Sequence, residues 1–416
     1  MKPGYKQTEI GVIPEDWEAK QIGSFARICM CKRVFADQTA EVGDIPFYKI
    51  GTFGGKPDAY ISRALYSEYK NKYSYPEKGD VLISAAGTLG RTVVFDGADS
   101  YFQDSNIVWL DIDKAQICNE YLKHYYEVIK WAASEGSTIS RLYNGIIEST
   151  YVSVPPLAEQ HRIAEALSDM DELIASLEKL IAKKKAIKQG AMQELLTGKR
   201  RLPGFSGEWK RKLFGDLFEI CPNNAYTRDQ LTIGGKIKNI HYGDILTKYG
   251  AYLDGNIANI PTLEKSLEKK QYAEKAFVQD GDIIIADTAE DLTVGKAIEI
   301  INVSGKILSG QHTFLCRPII SFAPMYLGYY LNSADFHDQV VPYVTGTKVS
   351  SINKSSLCSL TVKYPDIPEQ TAIAEILSDT DKAILALDER LAKARQVKYG
   401  MMQQLLTGKI RLQSEV

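Results

Sequence analysis

Residues 155–202 read PPLAEQHRIAEALSDMDELIASLEKLIAKKKAIKQGAMQELLTGKRRL, and residues 365–412 read PDIPEQTAIAEILSDTDKAILALDERLAKARQVKYGMMQQLLTGKIRL. The two align without a gap, and about half of the roughly 48 paired positions are identical. Both hold E-Q-x-x-I-A-E, then S-D-x-D, then M-Q-x-L-L-T-G-K-x-R-L. Glu159, Gln160, Ile163 and residues 195–199 thus correspond to Glu369, Gln370, Ile373 and residues 405–409. The sequence between the copies matches poorly. A repeated scaffold with unlike inserts implies an internal pseudo-two-fold repeat that presents two different surfaces at a fixed separation.

Inside the first copy Ile163, Leu167, Met170, Ile174, Leu177 and Ile181 step by four and three. The second copy repeats the steps with Ile373, Leu377, Ile384, Leu387 and Leu391, and Thr380 fills the weak position. That is a heptad seam on a long coiled-coil helix. Pro156 and Pro368 lie near the starts, where proline is tolerated, and Gly198 and Gly408 read as stops. Each helix would run ~40 residues, or about 60 Å. Acids lie early (Glu159, Glu165, Asp169, Asp171, Glu172; Glu369, Glu375, Asp379, Asp381). Bases lie late (Lys183, Lys184, Lys185, Lys188; Lys393, Arg395, Lys398). Antiparallel pairing sets acid against base, whereas parallel pairing opposes like charges, so the antiparallel arrangement is expected. Gly190 and Gly400 stand at matching helical sites, each costing about 1 kcal/mol relative to alanine. Either repeat history preserved them or another backbone approaches there.

The inserts share an order of features. Asp16-Trp17 and Ile22-Gly23-Ser24-Phe25 resemble Glu208-Trp209 and Phe214-Gly215-Asp216-Leu217. Gly-Asp turns then lead into apolar strands at residues 79–83 and 281–285. Small-residue loops and basic-capped strands follow at 87–93 and 293–298, then helices around Tyr121-Leu122 and Tyr326-Leu327. Polar loops at 136–142 and 346–352 precede return strands at Val152 and Val362. Short β runs alternating with helices indicate two α/β (α+β) globular domains, the second longer by about 18 residues.

The chain of 416 residues has room for two or three cores, and 44% hydrophobic with 25% charged residues is ordinary for a globular protein. No apolar run reaches transmembrane length, and the first residues do not begin a signal peptide. The six cysteines lack metal-binding spacing, Cys29-Met30-Cys31 being too tight for a zinc knuckle; reduced thiols and a cytoplasmic location are expected. A net charge of −2 argues against an indiscriminate nucleic-acid binder but leaves local basic patches free to contact phosphate.

The Ile-Pro-Glu-Asp-Trp run at 13–17, the Pro-Pro-Leu-x-Glu-Gln run at 155–160 and the two Leu-Leu-Thr-Gly-Lys ends together resemble the specificity subunit of a type I restriction-modification system. The resemblance covers nearly the whole chain. It implies target-recognition domains at 1–154 and 203–364, and conserved helical regions at 155–202 and 365–416. Each domain would read one half of a split, asymmetric site in double-stranded DNA, with the antiparallel helices setting the gap. It also implies that the helices dock two methyltransferase subunits, that restriction subunits complete the assembly, and that no membrane is involved. The chain itself would be non-catalytic and carry no cofactor; S-adenosylmethionine is expected in the methyltransferase partner.

No base-reading code transfers with the resemblance, so the DNA-contact candidates rest on chemistry and placement. In the first domain they are Lys49, Thr88, Arg91, Ser105, Asn106, Ser137, Thr138, Arg141, Tyr143 and Asn144. In the second they are Lys296, Gln311, His312, Thr347, Lys348, Asn353 and Lys354. Such side chains supply hydrogen bonds to base edges and phosphates, although any polar loop residue is also well served by water. The other histidines (His124, His161, His241, His337) read as ordinary surface or core residues. For partner docking the candidates are Ile163, Leu167, Ile174, Leu177 and Gly190, with Ile373, Leu377, Ile384, Leu387 and Gly400.

Enzyme readings fare poorly. Val154-Pro155-Pro156-Leu157 lacks both the polar residue and the aromatic of a methyltransferase motif, and residues 87–90 are too short for a phosphate loop. A Mg²⁺-dependent nuclease finds a loose match in Pro57-Asp58 and Glu68-Tyr69-Lys70, with no counterpart in the second insert. A coiled-coil adaptor binding only proteins stays open, because periodicity serves both readings.

Overall fold

The repeated segments fold as two helices of equal length, Leu157–Leu195 and Ile367–Leu405, in a computed structural model that describes residues 3–129, 131, 141–257, 259–346 and 349–412. Gly198 and Gly408 follow them in the left-handed region, φ +71° and +68°, a conformation that glycine adopts without Cβ strain. The chain divides into two compact units: residues 1–178 with 390–416, and residues 179–389. Each unit therefore contains one insert, the near part of one long helix and the far part of the other.

In the first unit an antiparallel sheet runs in the order Ala26–Cys29, Ile107–Ile112, Val81–Ser84, Thr92–Val94. The all-apolar Val81, Leu82 and Ile83 are buried on both faces, as befits a central strand. One face packs with Trp17, Phe25, Tyr121, Leu122 and Val152 on Ile163 and Leu167 of the first long helix, Met402 and Leu405 of the second, and the Leu406 that follows it. The other face covers Phe47, Phe53, Tyr101 and Trp109, beside a small sheet of Tyr60–Ile61, Ile45–Tyr48 and Tyr101–Phe102.

The second unit repeats that order with Phe218–Cys221, Thr313–Pro318, Ile283–Ala286 and Ala297–Ile301, then adds a fifth, parallel strand, Tyr252–Asp254. Its core joins Phe214, Phe218, Ile283, Ile285, Tyr326, Tyr329 and Val362 to Leu195 at the end of the first long helix, the following Leu196, and Ile373, Ala374 and Leu377 of the second helix. The turn at Gly79 or Gly281, the helix Asn119–Tyr126 or Tyr326–Leu331, and the return strand Tyr151–Val154 or Thr361–Tyr364 all lie where the sequence places them.

Within each unit the helices run antiparallel. In the first, Glu178 pairs with Arg395 at 2.6 Å and Asp171 with Lys398 at 2.7 Å; in the second, Lys188 pairs with Asp381 at 2.6 Å and Lys185 with Asp388 at 3.9 Å. Position rises along one helix as it falls along the other, and early acids meet late bases.

The repeated Glu-Gln pair now has a structural meaning. Glu159, 2% exposed, takes the Trp17 indole N–H at 3.0 Å and two bonds from the Arg411 guanidinium, which also grips Asp16. In the second unit Glu369 takes a bidentate pair from Arg201 at 2.6 Å, with Arg201 lying over the Trp209 ring. Each glutamate thus binds the arginine that ends the other repeat. Gln160 and Gln370 accept from the Cys118 and Ala323 amides at 3.0 and 2.9 Å and donate to the Pro155 and Pro365 carbonyls.

The six cysteines are free, and burial pushes Cys31 up to about 12. No helix among the described residues is long and apolar enough to cross a membrane.

Candidate nucleic-acid interface

The loops that leave the central strand of each unit are held by the same three backbone bonds. In the first unit Ser84 N–H donates to the Arg91 carbonyl, Ala85 N–H to Asn106, and Leu142 N–H to Ala85, each at 2.8 Å. In the second, Ala286 donates to Lys296 at 2.9 Å, Asp287 to His312 at 3.2 Å, and Ile352 to Asp287 at 2.9 Å. Chain segments far apart in sequence are gathered at one end of each sheet. This junction turns scattered candidates into a surface.

In the first unit the surface collects Thr88, Arg91, Ser105, Asn106, Arg141 and, beside them, Lys49. The Arg91 guanidinium is exposed, reaches the Ile50 carbonyl at 3.3 Å and stacks over Phe53. Arg141 reaches the Ser105 carbonyl at 3.3 Å, and Lys49 pairs with Asp58 at 2.9 Å. The Arg91 and Lys49 contacts are largely exposed and that of Arg141 is half-buried, and a phosphate or base edge can replace each of them. Tyr143 and Asn144 are exposed where the Asn144–Ser149 helix begins. Gly90 (φ +75°) lies so close to Trp131 that an added Cβ would collide with its indole ring.

In the second unit the surface is built around His312, at φ +55°, whose ring lies 3.5 Å from Asp287 and from the Thr288 hydroxyl and meets Tyr242 edge-on. Gln311 lies beside it at 3.3 Å.

The structure engages two further candidates and corrects the docking seam. The Lys296 ammonium is half-buried and donates to the Leu246 carbonyl at 3.1 Å, and burial lowers its pKa. The Asn353 side chain accepts from the Ser356 amide through its oxygen and caps the Lys354–Cys358 helix; Asn353 and Lys354 are both exposed. Ile163, Leu167, Ile373 and Leu377 are buried in this chain's own cores and leave no surface for a partner. Leu177 and Ile384 are also buried, whereas Ile174 and Leu387 are half-exposed. A Cβ at Gly190 or Gly400 would meet nothing within 4 Å, so no backbone of this chain approaches them. Ser137, Thr138, Thr347 and Lys348 lie outside the described residues.

The nuclease pattern does not assemble. Asp58 is tied to Lys49, and Glu68 to Lys72 on the Arg63–Lys72 helix, while Lys70 contacts the Tyr66 hydroxyl.

Sequence reading missed Asp287 and Thr288, which follow the apolar Ile283–Ala286 strand and look in sequence like its continuation. It also missed Arg33, exposed and paired with Asp104 at 2.9 Å. Alignment of Ala85-Ala86 on Asp287-Thr288 is the signal that would have found the first two.

Two variable-tipped units on a repeated helical scaffold define a two-part recognition protein. The family model described as the type I restriction modification DNA specificity domain matches residues 14–189 and again 206–394, and the chain belongs to that family. A type I restriction enzyme specificity subunit of Haemophilus influenzae is 58% identical over 157 residues, which is 38% of this chain and 41% of that protein. The MjaVIII specificity subunit of Methanocaldococcus jannaschii is 24% identical over 97% of this chain and 95% of its own length. The fold is that of the protein solved as the type I restriction-modification system S subunit from M. genitalium: TM-score 0.59, 15% identity, covering 98% of this chain and 99% of that one.

Proposed function

We propose that this chain is the DNA-reading subunit of a type I restriction-modification complex, each unit reading one half of a split, asymmetric duplex site. The observation that carries this reading is the loop junction, held by the same three backbone bonds in both units yet fitted with different side chains. Linking two modest contacts makes the second binding event intramolecular, so the pair binds far more tightly than either alone. The long helices serve as the ruler and as the docking surface for two methyltransferase subunits, which hold S-adenosylmethionine; restriction subunits join that assembly. The chain contributes recognition and no catalytic group.

The test is co-expression with the neighbouring methyltransferase subunit and genome-wide mapping of methylated adenines. A split motif that vanishes when this chain is deleted is the expected result. A stable complex whose methylation pattern does not depend on this chain would overturn the reading in favour of a protein-binding adaptor.

A further inference from the structure

We propose that Cys118, Glu120 and His161 form a binding site for one divalent cation of the zinc class, joining the Asn119–Tyr126 helix to the first long helix. The thiol sulfur, a carboxylate oxygen and an imidazole nitrogen all lie within 4.8 Å of one another. Cys118 directly precedes the short helix, Glu120 stands in its first turn, and His161 projects from the first turns of Leu157–Leu195. Glu120 and His161 are exposed, and the Glu120 carboxylate lies within reach of the Cys118 thiol, which is itself 8% exposed.

The same crossing in the second unit serves as an internal control. Gln160 and Gln370 fix the two crossings alike, through the amides of Cys118 and Ala323. By that correspondence the positions of Cys118, Glu120 and His161 are held by Ala323, Met325 and Thr371. The crossing folds without a thiol, carboxylate or imidazole at any of the three positions, so the scaffold does not account for their meeting in the first unit. One sulfur, one nitrogen and one oxygen suit Zn²⁺ or Co²⁺ rather than Mg²⁺ or Ca²⁺, and three protein ligands leave a fourth position for water.

A second three-donor group, His124, Glu127 and Asp171, is already served by a fixed cation. The Lys398 ammonium stands 2.7 Å from both carboxylates. The Cys118 site also lies away from the recognition surface. Asn119 bonds Asp80 at 3.0 Å, ahead of the Val81–Ser84 strand, and the loops leave the strand's other end. The ion would therefore fasten the unit to its helix without occupying the DNA-facing surface.

The experiment is titration of the metal-stripped full chain with Co²⁺ alone, followed by absorption spectroscopy. One equivalent should bind with a thiolate-to-cobalt charge-transfer band, and Zn²⁺ should displace it and raise the unfolding temperature. Cys118→Ser should abolish the band, Cys358→Ser should keep it, and His161→Ala should weaken binding at least tenfold. Because His161 is exposed, its metal-free variant should melt with the wild type, which separates ligand loss from misfolding. Absence of the band, or a band that survives Cys118→Ser or is indifferent to His161→Ala, would overturn the proposal.

Discussion

In the first unit the central strand is followed by Ala85 and Ala86; in the second, by Asp287 and Thr288, although the same backbone bonds hold both junctions. Further along, Val94 is 43% exposed on an edge strand, while its counterpart Glu299 is 2% exposed, because the longer second insert adds Tyr252–Asp254 against it. The clasps at the bases of the units, by contrast, share a buried glutamate gripped by an arginine that lies over a tryptophan ring, although Trp17 also donates to Glu159 while the buried Trp209 indole N–H has no partner. The difference shows where each kind of residue is constrained. Residues that join the repeats must satisfy buried charges and cannot drift, whereas residues at the loop tips face solvent and can be replaced, which is how one scaffold carries two readers.

The largest test of that contrast is removal of a clasp. Arg411→Ala and Arg201→Ala each leave a buried glutamate without its cationic partner, and each should cost roughly 3–5 kcal/mol in denaturant unfolding. If the clasps are equivalent, the two losses agree within a factor of two. A loss confined to one would break the symmetry.

Next comes the residue that the first unit lacks. Burial pushes Glu299 up to about 7 from 4.5, against the backbone N–H groups of Met325 and Gly328 that favour its charged form. Between those pH values the folded protein keeps a proton that the unfolded chain has lost. Its contribution is therefore complete below about 4.5 and disappears as pH rises through 7, amounting to about 3 kcal/mol at most. Glu299→Gln should remove this decline from a plot of unfolding free energy against pH. An unchanged slope would show that the carboxyl is already ionised at the lower end.

At the tips the effects should be smaller and separable. Arg91→Ala and Arg141→Ala should weaken binding by roughly 1–3 kcal/mol each and relax one half-site, and His312→Ala should act on the other half. Competition with duplexes altered in one half-site at a time reads this directly, and loss of discrimination at both halves from one substitution would sink the division of labour.

Smallest is Gly190→Ala, or the same change at Gly400. With open space at either Cβ, each should stabilise the free chain by up to about 1 kcal/mol. Gain in the free chain combined with weaker methyltransferase binding would sharpen the docking reading. Gain with unchanged binding would leave repeat history as the reason for the glycines.

Much was legible because periodic patterns report directly on local structure. The heptad period placed both long helices, the Gly-Asp turns placed the central strands, and the early-acid, late-base arrangement indicated antiparallel pairing, which Lys188–Asp381 and Arg395–Glu178 bear out. Candidate contacts were less legible. A lysine beside a glycine reads as a loop tip in sequence, but the half-buried Lys296 ammonium bonds the carbonyl of Leu246, which lies 50 residues earlier. Likewise the heptad residue Ile163 and its counterpart Ile373 read as a docking seam, yet both are absorbed by their own units.

The sequence by itself determined the repeat, the helices, the pairing direction and the family, because each is written in local periodicity or in identity between copies. Only the tertiary structure decided which candidates share a surface, that each repeat's glutamate binds the other's arginine, and that Cys118, Glu120 and His161 converge. Those facts depend on residues far apart along the chain, 42 positions for Cys118 and Gln160 and 252 for Glu159 and Arg411, and no short-range pattern encodes such pairings.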